Sequence, residues 1–209
     1  MDSEIILRLL ALIAALSIHE FSHALAAEYF GDPTAKLKNR LTLNPIAHLD
    51  PIGTLMFVVT LFGTGMIFGW GKPVPVDPYN LKNPKKDMAI IAFAGPLSNL
   101  ISALFVAILF RVIGILNIDI ISQTLIPFFA TFMSLSIFLA VFNLFPVPPL
   151  DGSKILYGIL PDKQAQSTAL FLNQYGTFIL IAALFTNVIS YFTYPIANIL
   201  FQILNGIAG

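Results

Sequence analysis

Two histidines and a glutamate near the start of the chain have the types and the spacing of a metal-dependent hydrolytic site. They lie in the run His19-Glu20-Phe21-Ser22-His23, inside an apolar stretch. Residues four apart share one face of a helix, so the two imidazoles can bind one Zn²⁺. The glutamate after the first histidine can then act as a general base. Ionisable groups in an apolar segment are costly unless they are used, which argues against a chance match.

A third zinc ligand must come from elsewhere in the chain, because catalytic zinc sites have three protein ligands and one open position. The sequence has no cysteine and one further histidine, His48, in the run NPIAHLDP. The other candidate is Asp151, in NLFPVPPLDG, which directly follows an apolar run and several prolines that keep its backbone out of a helix. Asp151 is the favoured ligand and His48 the alternative.

The composition is that of a membrane protein. Of the 209 residues, 57% are hydrophobic and 11% charged, whereas soluble domains carry about 25% charged residues. The net charge is zero, with 11 basic and 11 acidic residues, so no basic stripe exists to bind nucleic acid. The first apolar run lacks the basic region and cleavage site of a signal peptide, and we expect it to be retained as a span. The expected surrounding is the lipid bilayer, and the sequence predicts no oligomeric state.

Five apolar runs are long enough to span a bilayer, which takes about 20 residues. A shorter run at 51–68 either spans or dips into the bilayer and returns. We detect no internal repeat and no room for a separate soluble domain, and expect a single domain over residues 1–209. The long runs lie at about 4–30, 88–116, 124–145, 167–186 and 188–206.

Two segments between the first long runs have β-strand patterns. Residues 35–43 alternate apolar and polar side chains, with Asn39 as the exception. In residues 72–78, Pro73 and Pro75 place their missing N–H groups on one edge, which is typical of an edge strand. A surface loop is the alternative for both segments. The predicted fold class is an all-α polytopic membrane protein with five to six transmembrane helices, a re-entrant segment and a small membrane-associated β element.

The two motifs together resemble the site-2 protease family of intramembrane zinc metalloproteases. HEFSH in a first apolar span and a distant NLFPVPPLDG are both similar to hallmarks of that family, and residues 94–99 (AGPLSN) resemble its Gly-Pro-x-x-Asn element. The runs around residues 44–54 and 69–76 are similar to its compact prokaryotic branch. The resemblance implies a single intramembrane metalloprotease domain in which His19, His23 and Asp151 are the zinc ligands. It also implies that Glu20 is the base and that Asn143 helps to hold the substrate or the developing oxyanion.

The resemblance further implies an enzyme that hydrolyses peptide bonds of membrane-spanning protein substrates, as in regulated intramembrane proteolysis. A helical peptide bond is shielded, so the substrate must unwind, and the 72–78 edge can pair with it through Val74 and Val76. The alternative is pairing with residues 35–43 of the same chain. Asn99, predicted to lie about 16 Å from the membrane face nearest His23, is a further candidate substrate-binding residue.

Two functions from other classes compete with proteolysis. A metal or ion transporter is the first, because intramembrane His, Glu and Asp also mark ion pathways. Many transporters are built from inverted repeats, and none is detected here. A catalytically inactive membrane binding protein is the second, and it is disfavoured because the expected base and all three expected ligands are present.

The metal site also predicts the topology. His19 and His23 lie roughly 10–16 Å from the end of the first helix, and Asp151 reaches them from the same face only if 51–68 enters and leaves the bilayer on one side. The basic residues then gather on that face, which marks it as cytoplasmic. We therefore expect a cell-membrane protein with its active site toward the cytoplasm. That face carries Lys36, Lys38, Arg40, Lys72, Lys82, Lys85, Lys86, Lys154 and Lys163, and Arg8 and Arg111 lie toward the other.

Overall fold

The structure is a computed structural model, and it describes residues 2–64, 70–116 and 125–208. The last part of the predicted 51–68 run lies outside these residues. Two short 3₁₀ helices, Pro45–His48 and Pro78–Asn80, interrupt the segments between the long helices. The α-helices are α1 (Asp2–Tyr29), α2 (Thr34–Leu37), α3 (Pro51–Thr64), α4 (Pro84–Leu116), α5 (Leu125–Asn143), α6 (Asp151–Ile159), α7 (Asp162–Phe185) and α8 (Val188–Ala208).

Four of these helices, α1, α4, α5 and α7, are long and apolar enough to cross a membrane. The prediction of an all-α membrane protein is therefore confirmed, and these helices cover four of the five predicted long spans. α8 coincides with the fifth but is not one of the four, so its crossing stays a prediction. Its apolar character is diluted by polar side chains, namely Ser190, Thr193, Asn198, Gln202 and Asn205.

Small side chains allow α1 to pack closely against α4 and α5. Ala11 and Ala15 of α1 lie in one buried cluster with Ala103 and Ala107 of α4 and with Met133 of α5. Without large side chains between them, membrane helices approach closely and gain van der Waals contact. This packing sets the rotation of α1 relative to α4 and therefore the direction in which its two histidines face.

α1 and α4 run antiparallel. His23, near the end of α1, contacts Ile91 near the start of α4, and His19 contacts Asn99, two turns further along α4. The chain between the two helices therefore starts and ends at the same end of the pair. α5 returns toward this end as well, because α6, which follows it, begins at Asp151 beside the two histidines.

The β-strand predicted over residues 35–43 is wrong, since its first residues form α2. Asp32 holds the start of this helix: its carboxylate accepts hydrogen bonds from the backbone N–H and the hydroxyl of Thr34, at 3.1 and 2.5 Å. Asn39 then adopts a positive φ of 54°, which turns the chain. Local hydrogen bonds from side chains to the backbone thus override the alternating pattern.

Residues 72–77 form neither a helix nor a strand, and Pro78 begins a 3₁₀ helix, so the edge strand predicted over residues 72–78 is not confirmed. Segment 71–77 lies along α1 and not beside residues 35–43. Gly71 forms an isolated antiparallel bridge with Leu49. A Cβ on Gly71 would lie 3.0 Å from the side chain of Leu16 in α1, so the segment is in close contact with this helix. Within the described ranges, this segment therefore pairs through a single bridge to Leu49 and not with residues 35–43, the pairing that the sequence offered as an alternative.

Candidate metal centre

Three buried side chains from distant parts of the chain meet between α1 and α6. His19 and His23 lie one helical turn apart on α1, and Asp151 is the first residue of α6. Asp151 Oδ2 lies 3.1 Å from His19 Nε2 and 3.1 Å from His23 Nε2. The three potential ligand atoms lie within 4.8 Å of one another. Two imidazoles and one carboxylate that converge in this way form a candidate site for a divalent metal ion.

The chain reaches this point because α5 cannot continue into α6. The prolines within residues 146–149 prevent a regular helix, and Leu150 is extended, with φ −68° and ψ 151°, directly before Asp151. Gly152 allows a close approach of the backbone, since a Cβ there would collide with the carbonyl group of Leu144. The proline and glycine residues of the motif therefore deliver the carboxylate to the histidines.

His48, the alternative third ligand, takes no part in this cluster. It is 1% exposed, and its Nε2 donates to the carbonyl oxygen of Thr42 at 2.7 Å. Its Nδ1 lies 3.4 Å from the guanidinium of Arg40. Both ring nitrogens are engaged, and the group of potential ligands around Asp151 does not include His48.

Each histidine of the cluster is also held through its second ring nitrogen. His23 Nδ1 donates to the carbonyl oxygen of Ile91 at 2.7 Å, and His19 Nδ1 lies 3.2 Å from the side-chain amide of Asn99. Histidines that bind metals usually donate their second N–H to such an acceptor, which fixes the tautomer and the ring orientation. Asn99 is fully buried, and its Oδ1 has no hydrogen-bond partner among the described residues. Rotating the amide by half a turn would place this acceptor on His19 Nδ1.

A glycine of α4 leaves room beside the two imidazoles. A Cβ on Gly95 would collide with Nε2 of both His19 and His23, so any larger residue would fill the space that these nitrogens face. The donor set contains two imidazoles, one carboxylate and no thiolate, and the unused Oδ1 of Asn99 can serve His19 once its Nε2 binds a metal. These features fit Zn²⁺.

Glu20 lies next to His19 and contacts segment 71–77. Its Oε2 accepts a hydrogen bond from the backbone N–H of Val74 at 3.1 Å. Pro73 and Pro75 carry no N–H group, so Val74 supplies the backbone donor of this triplet. The segment therefore orients the carboxylate that is expected to act as the base.

The four residues predicted to bind substrate have other contacts in this structure. The N–H of Val74 is used by Glu20, and the side chain of Val76 packs on a buried cluster between α1 and α4. The amide of Asn143 donates to the carbonyl oxygen of Leu139 in its own helix at 2.9 Å, and Asn99 contacts His19. These contacts do not test substrate binding, so the four roles stay predictions.

The arrangement of Gly95 and Asn99 around the histidines was not predicted from the sequence. The two residues are four apart on α4 and thus share one face of the helix. A glycine and an amide on one face of an otherwise apolar span were a signal that could have placed them at the site. The sequence predicts Asn99 only as a substrate-binding residue.

Comparisons with known proteins agree with this geometry. The model of peptidase family M50 matches residues 109–185. A Bacillus subtilis (strain 168) protein named "Putative zinc metalloprotease YwhC" is 37% identical over 193 residues, which cover 90% of this chain and 84% of that protein. A Mycolicibacterium smegmatis protein named "Putative zinc metalloprotease Rip2" is 30% identical over 83% of this chain and 64% of its own length. No solved structure gave a significant match.

The extent and identity of the Bacillus match establish a common family, and the names of both relatives specify zinc, which the cluster of His19, His23 and Asp151 fits. The chain therefore belongs to peptidase family M50, the site-2 protease family of zinc metalloproteases.

Proposed function

We propose that this protein is an intramembrane zinc endopeptidase that hydrolyses peptide bonds of membrane-spanning protein substrates. The observation that carries the proposal is that Asp151 meets His19 and His23. The two histidines belong to α1, a helix that is long and apolar enough to cross a membrane. In this proposal the three residues hold zinc and Glu20 is the general base. A site on such a helix is accessible to a peptide bond that itself lies in or near the bilayer.

The proposed reaction is hydrolysis of an amide bond. When bound, zinc supplies Lewis-acid chemistry, which polarises the scissile carbonyl and makes water more acidic. The Glu20 carboxylate accepts a proton from the attacking water and delivers it to the leaving amine nitrogen. The contacts of His19 with Asn99 and of His23 with Ile91 keep both imidazoles oriented during these steps.

Substrate binding is proposed to use segment 71–77 and the end of α5. An unwound substrate segment can pair with the backbone at Val74 and Val76, as in β-augmentation. The N–H of Val74 is used by Glu20, so the carbonyl groups of this segment supply most of the available pairing. Asn143, half-buried at the end of α5, would hold the substrate carbonyl after its amide leaves Leu139.

We also propose that residues 51–68 enter and leave the membrane on the cytoplasmic side. The two ends of this part of the chain adjoin: Leu49 and Gly71 form a bridge, and a Cβ on Gly53 would collide with the carbonyl group of Trp70. The antiparallel packing of α1 and α4 supports the same topology, because it requires an even number of crossings between them. The basic residues of this face support its cytoplasmic assignment.

The test of the proposed function is a comparison of cells that carry the wild type with cells that carry Glu20→Gln. Glutamine keeps the size of the side chain but cannot accept the proton, so membrane-protein fragments should disappear and their precursors accumulate. Quantitative proteomics of the membrane fraction measures both. Near-normal cleavage by Glu20→Gln would sink the mechanism. A change of cellular metal content without any change in membrane-protein fragments would favour a transporter.

A further inference from the structure

A buried arginine and a buried histidine hold the segment that contacts Glu20. Arg40 and His48 lie between α1 and α4 in the sequence and are 5% and 1% exposed. Neither belongs to the cluster of potential metal ligands. Their contacts instead lead, through the backbone, to the expected catalytic base.

The backbone of Lys72 is held by both residues. Its N–H donates to the carbonyl oxygen of His48 at 2.8 Å, and its carbonyl oxygen accepts a hydrogen bond from Arg40 Nη2 at 2.5 Å. The same Nη2 lies 3.4 Å from Nδ1 of His48, while Nε2 of this ring donates to Thr42. Because a guanidinium can only donate, the contact with Arg40 requires Nδ1 of this ring to accept.

The backbone at Lys72 is close in sequence to the residues that contact α1 and Glu20. Gly71, beside Lys72, contacts Leu16 of α1, and Leu16 lies one helical turn before Glu20, on the same face. Two residues after Lys72, the N–H of Val74 donates to Glu20 Oε2. Because the intervening Pro73 has a fixed φ, the position of the Lys72 carbonyl strongly restricts that of the Val74 N–H.

The environment of Arg40 is costly for a cation. Burial lowers the pKa of Arg40, and the negative charge of Glu20 acts to raise it. Its Nε has no hydrogen-bond partner among the described residues. A buried guanidinium with an unpaired N–H is unfavourable, and its contacts with Lys72 and His48 offset part of this cost.

We propose that Arg40 and His48 are positioning residues for the general base. By fixing the backbone of Lys72, they hold the Val74 N–H on the Glu20 carboxylate and so restrict the orientation of that carboxylate. The inference rests on the proposed function, in which Glu20 is the base. The competing explanation is that the two residues only stabilise the fold of residues 40–72.

Hydrogen exchange in detergent tests the positioning without any substrate. Pro73 and Pro75 carry no amide hydrogen, so fragmentation of a peptide that spans residues 71–77 isolates the exchange of Val74. Loss of a hydrogen bond to a charged group should speed this exchange by roughly ten- to a hundredfold in Arg40→Ala. Arg40→Lys, whose ammonium can still donate to the Lys72 carbonyl, should retain part of the protection, and the exposed Lys38→Ala serves as the control. Wild-type protection of Val74 in Arg40→Ala would overturn the proposal.

Kinetics with dye-labelled β-casein, used as an unfolded probe substrate, then test the catalytic consequence. Arg40→Ala should lower kcat by about tenfold, because the base is displaced. Val74→Pro, which removes the N–H itself, should lower kcat to a similar extent, and kcat is the quantity compared because Val74 is also proposed to bind substrate. The double variant Arg40→Ala/Val74→Pro should lose no more than either single variant, since both act through one hydrogen bond.

The outcomes separate this inference from the proposed function. Multiplicative losses of kcat in the double variant, or an unchanged kcat in Arg40→Ala, would show that Arg40 does not act on the base through Val74. Absence of casein cleavage by the wild type, or normal cleavage by Glu20→Gln, would count against the proposed function. The exchange of the Val74 amide decides the positioning in either case.

Discussion

Asp151 and His48 differ in what surrounds them, although both are buried and both could bind zinc by residue type. Purified protein should contain about one zinc ion per chain, as a catalytic site with three protein ligands requires. Asp151→Ala should lose this zinc, because the carboxylate is the group that both histidines face. His48→Ala should keep it, because the ring nitrogens of His48 already contact Thr42 and Arg40. Elemental analysis of gel-filtered protein in detergent measures the difference, and equal losses would reopen the ligand assignment.

Gly95 permits a second test at the same scale. In Gly95→Ala the added methyl group would collide with Nε2 of His19 and His23, so zinc content should fall well below that of the wild type. Gly114→Ala is the matched control: it lies on the same helix, and no described atom lies within 4 Å of the added Cβ. Both changes favour the helix intrinsically by roughly 0.5–1 kcal/mol. Full zinc occupancy in Gly95→Ala would show that the glycine is not needed for the ion.

Single residues could be predicted where a local spacing carries the chemistry. His19 and His23 follow from helical periodicity and Asp151 from its place after an apolar span, and the structure brings these three side chains together. The partners of these residues could not be predicted in the same way. Whether Asn99 faces His19 depends on the rotation and register of α4 against α1, and these are set by contacts between small residues far apart in the sequence.

Asp32 connects the end of α1 to the residues around Asp77 through hydrogen bonds. It is fully buried, and its carboxylate accepts hydrogen bonds from Thr34, from the side chain of Asn80 at 2.8 Å and from the backbone of Asp77 at 2.7 Å. These hydrogen bonds hold the end of α1 against the end of segment 71–77, which contacts Glu20. Burial acts to raise the pKa of Asp32, but these hydrogen bonds outweigh it and lower the pKa below its usual value of 3.8.

A lowered pKa in the folded state makes the contribution of Asp32 dependent on pH. The stabilisation is present above 3.8, diminishes as the pH falls below that value and is lost once the pH passes the folded pKa. Asp32→Ala should therefore cost roughly 1.5–3 kcal/mol at neutral pH and clearly less near pH 3. Thermal unfolding of both proteins in detergent at the two pH values gives the comparison. A difference in Tm that does not change with pH would contradict the assignment.

At the level of elements, length and apolar character were sufficient for the long helices, whereas the short segments depended on individual hydrogen bonds. α4 begins at Pro84, before the predicted residue 88, because the carboxylate of Asp87 accepts a hydrogen bond from the N–H of Asn83 and caps the helix. Residues 35–43 do alternate between apolar and polar side chains, but the part of the chain that the structure describes places no neighbouring strand beside them. A period-2 pattern predicts a strand only where a partner edge is available.

For the whole molecule, α1 is the element against which the site is assembled. α4 places Gly95 and Asn99 beside the histidines, and α6 places Asp151 there. Segment 71–77 donates the N–H of Val74 to Glu20. All of these elements approach the same end of α1. The topology in which residues 51–68 return to their starting side is therefore tied to the proposed catalytic role of the site.

This topology predicts a distinct labelling pattern, and the chain is suited to the measurement because it contains no cysteine. Single cysteines would replace Lys38, before the 51–68 run, Lys82, after it, and Leu116, at the end of α4, and intact cells would be treated with an impermeant maleimide. If 51–68 re-enters from the cytoplasm, the cysteine at 116 reacts from outside, whereas those at 38 and 82 react only after the membrane is permeabilised. Labelling of position 82 but not of position 38 from outside would mean that the run crosses the membrane. In that case Asp151 would approach from the opposite face, and the proposed zinc site would be incompatible with the membrane topology.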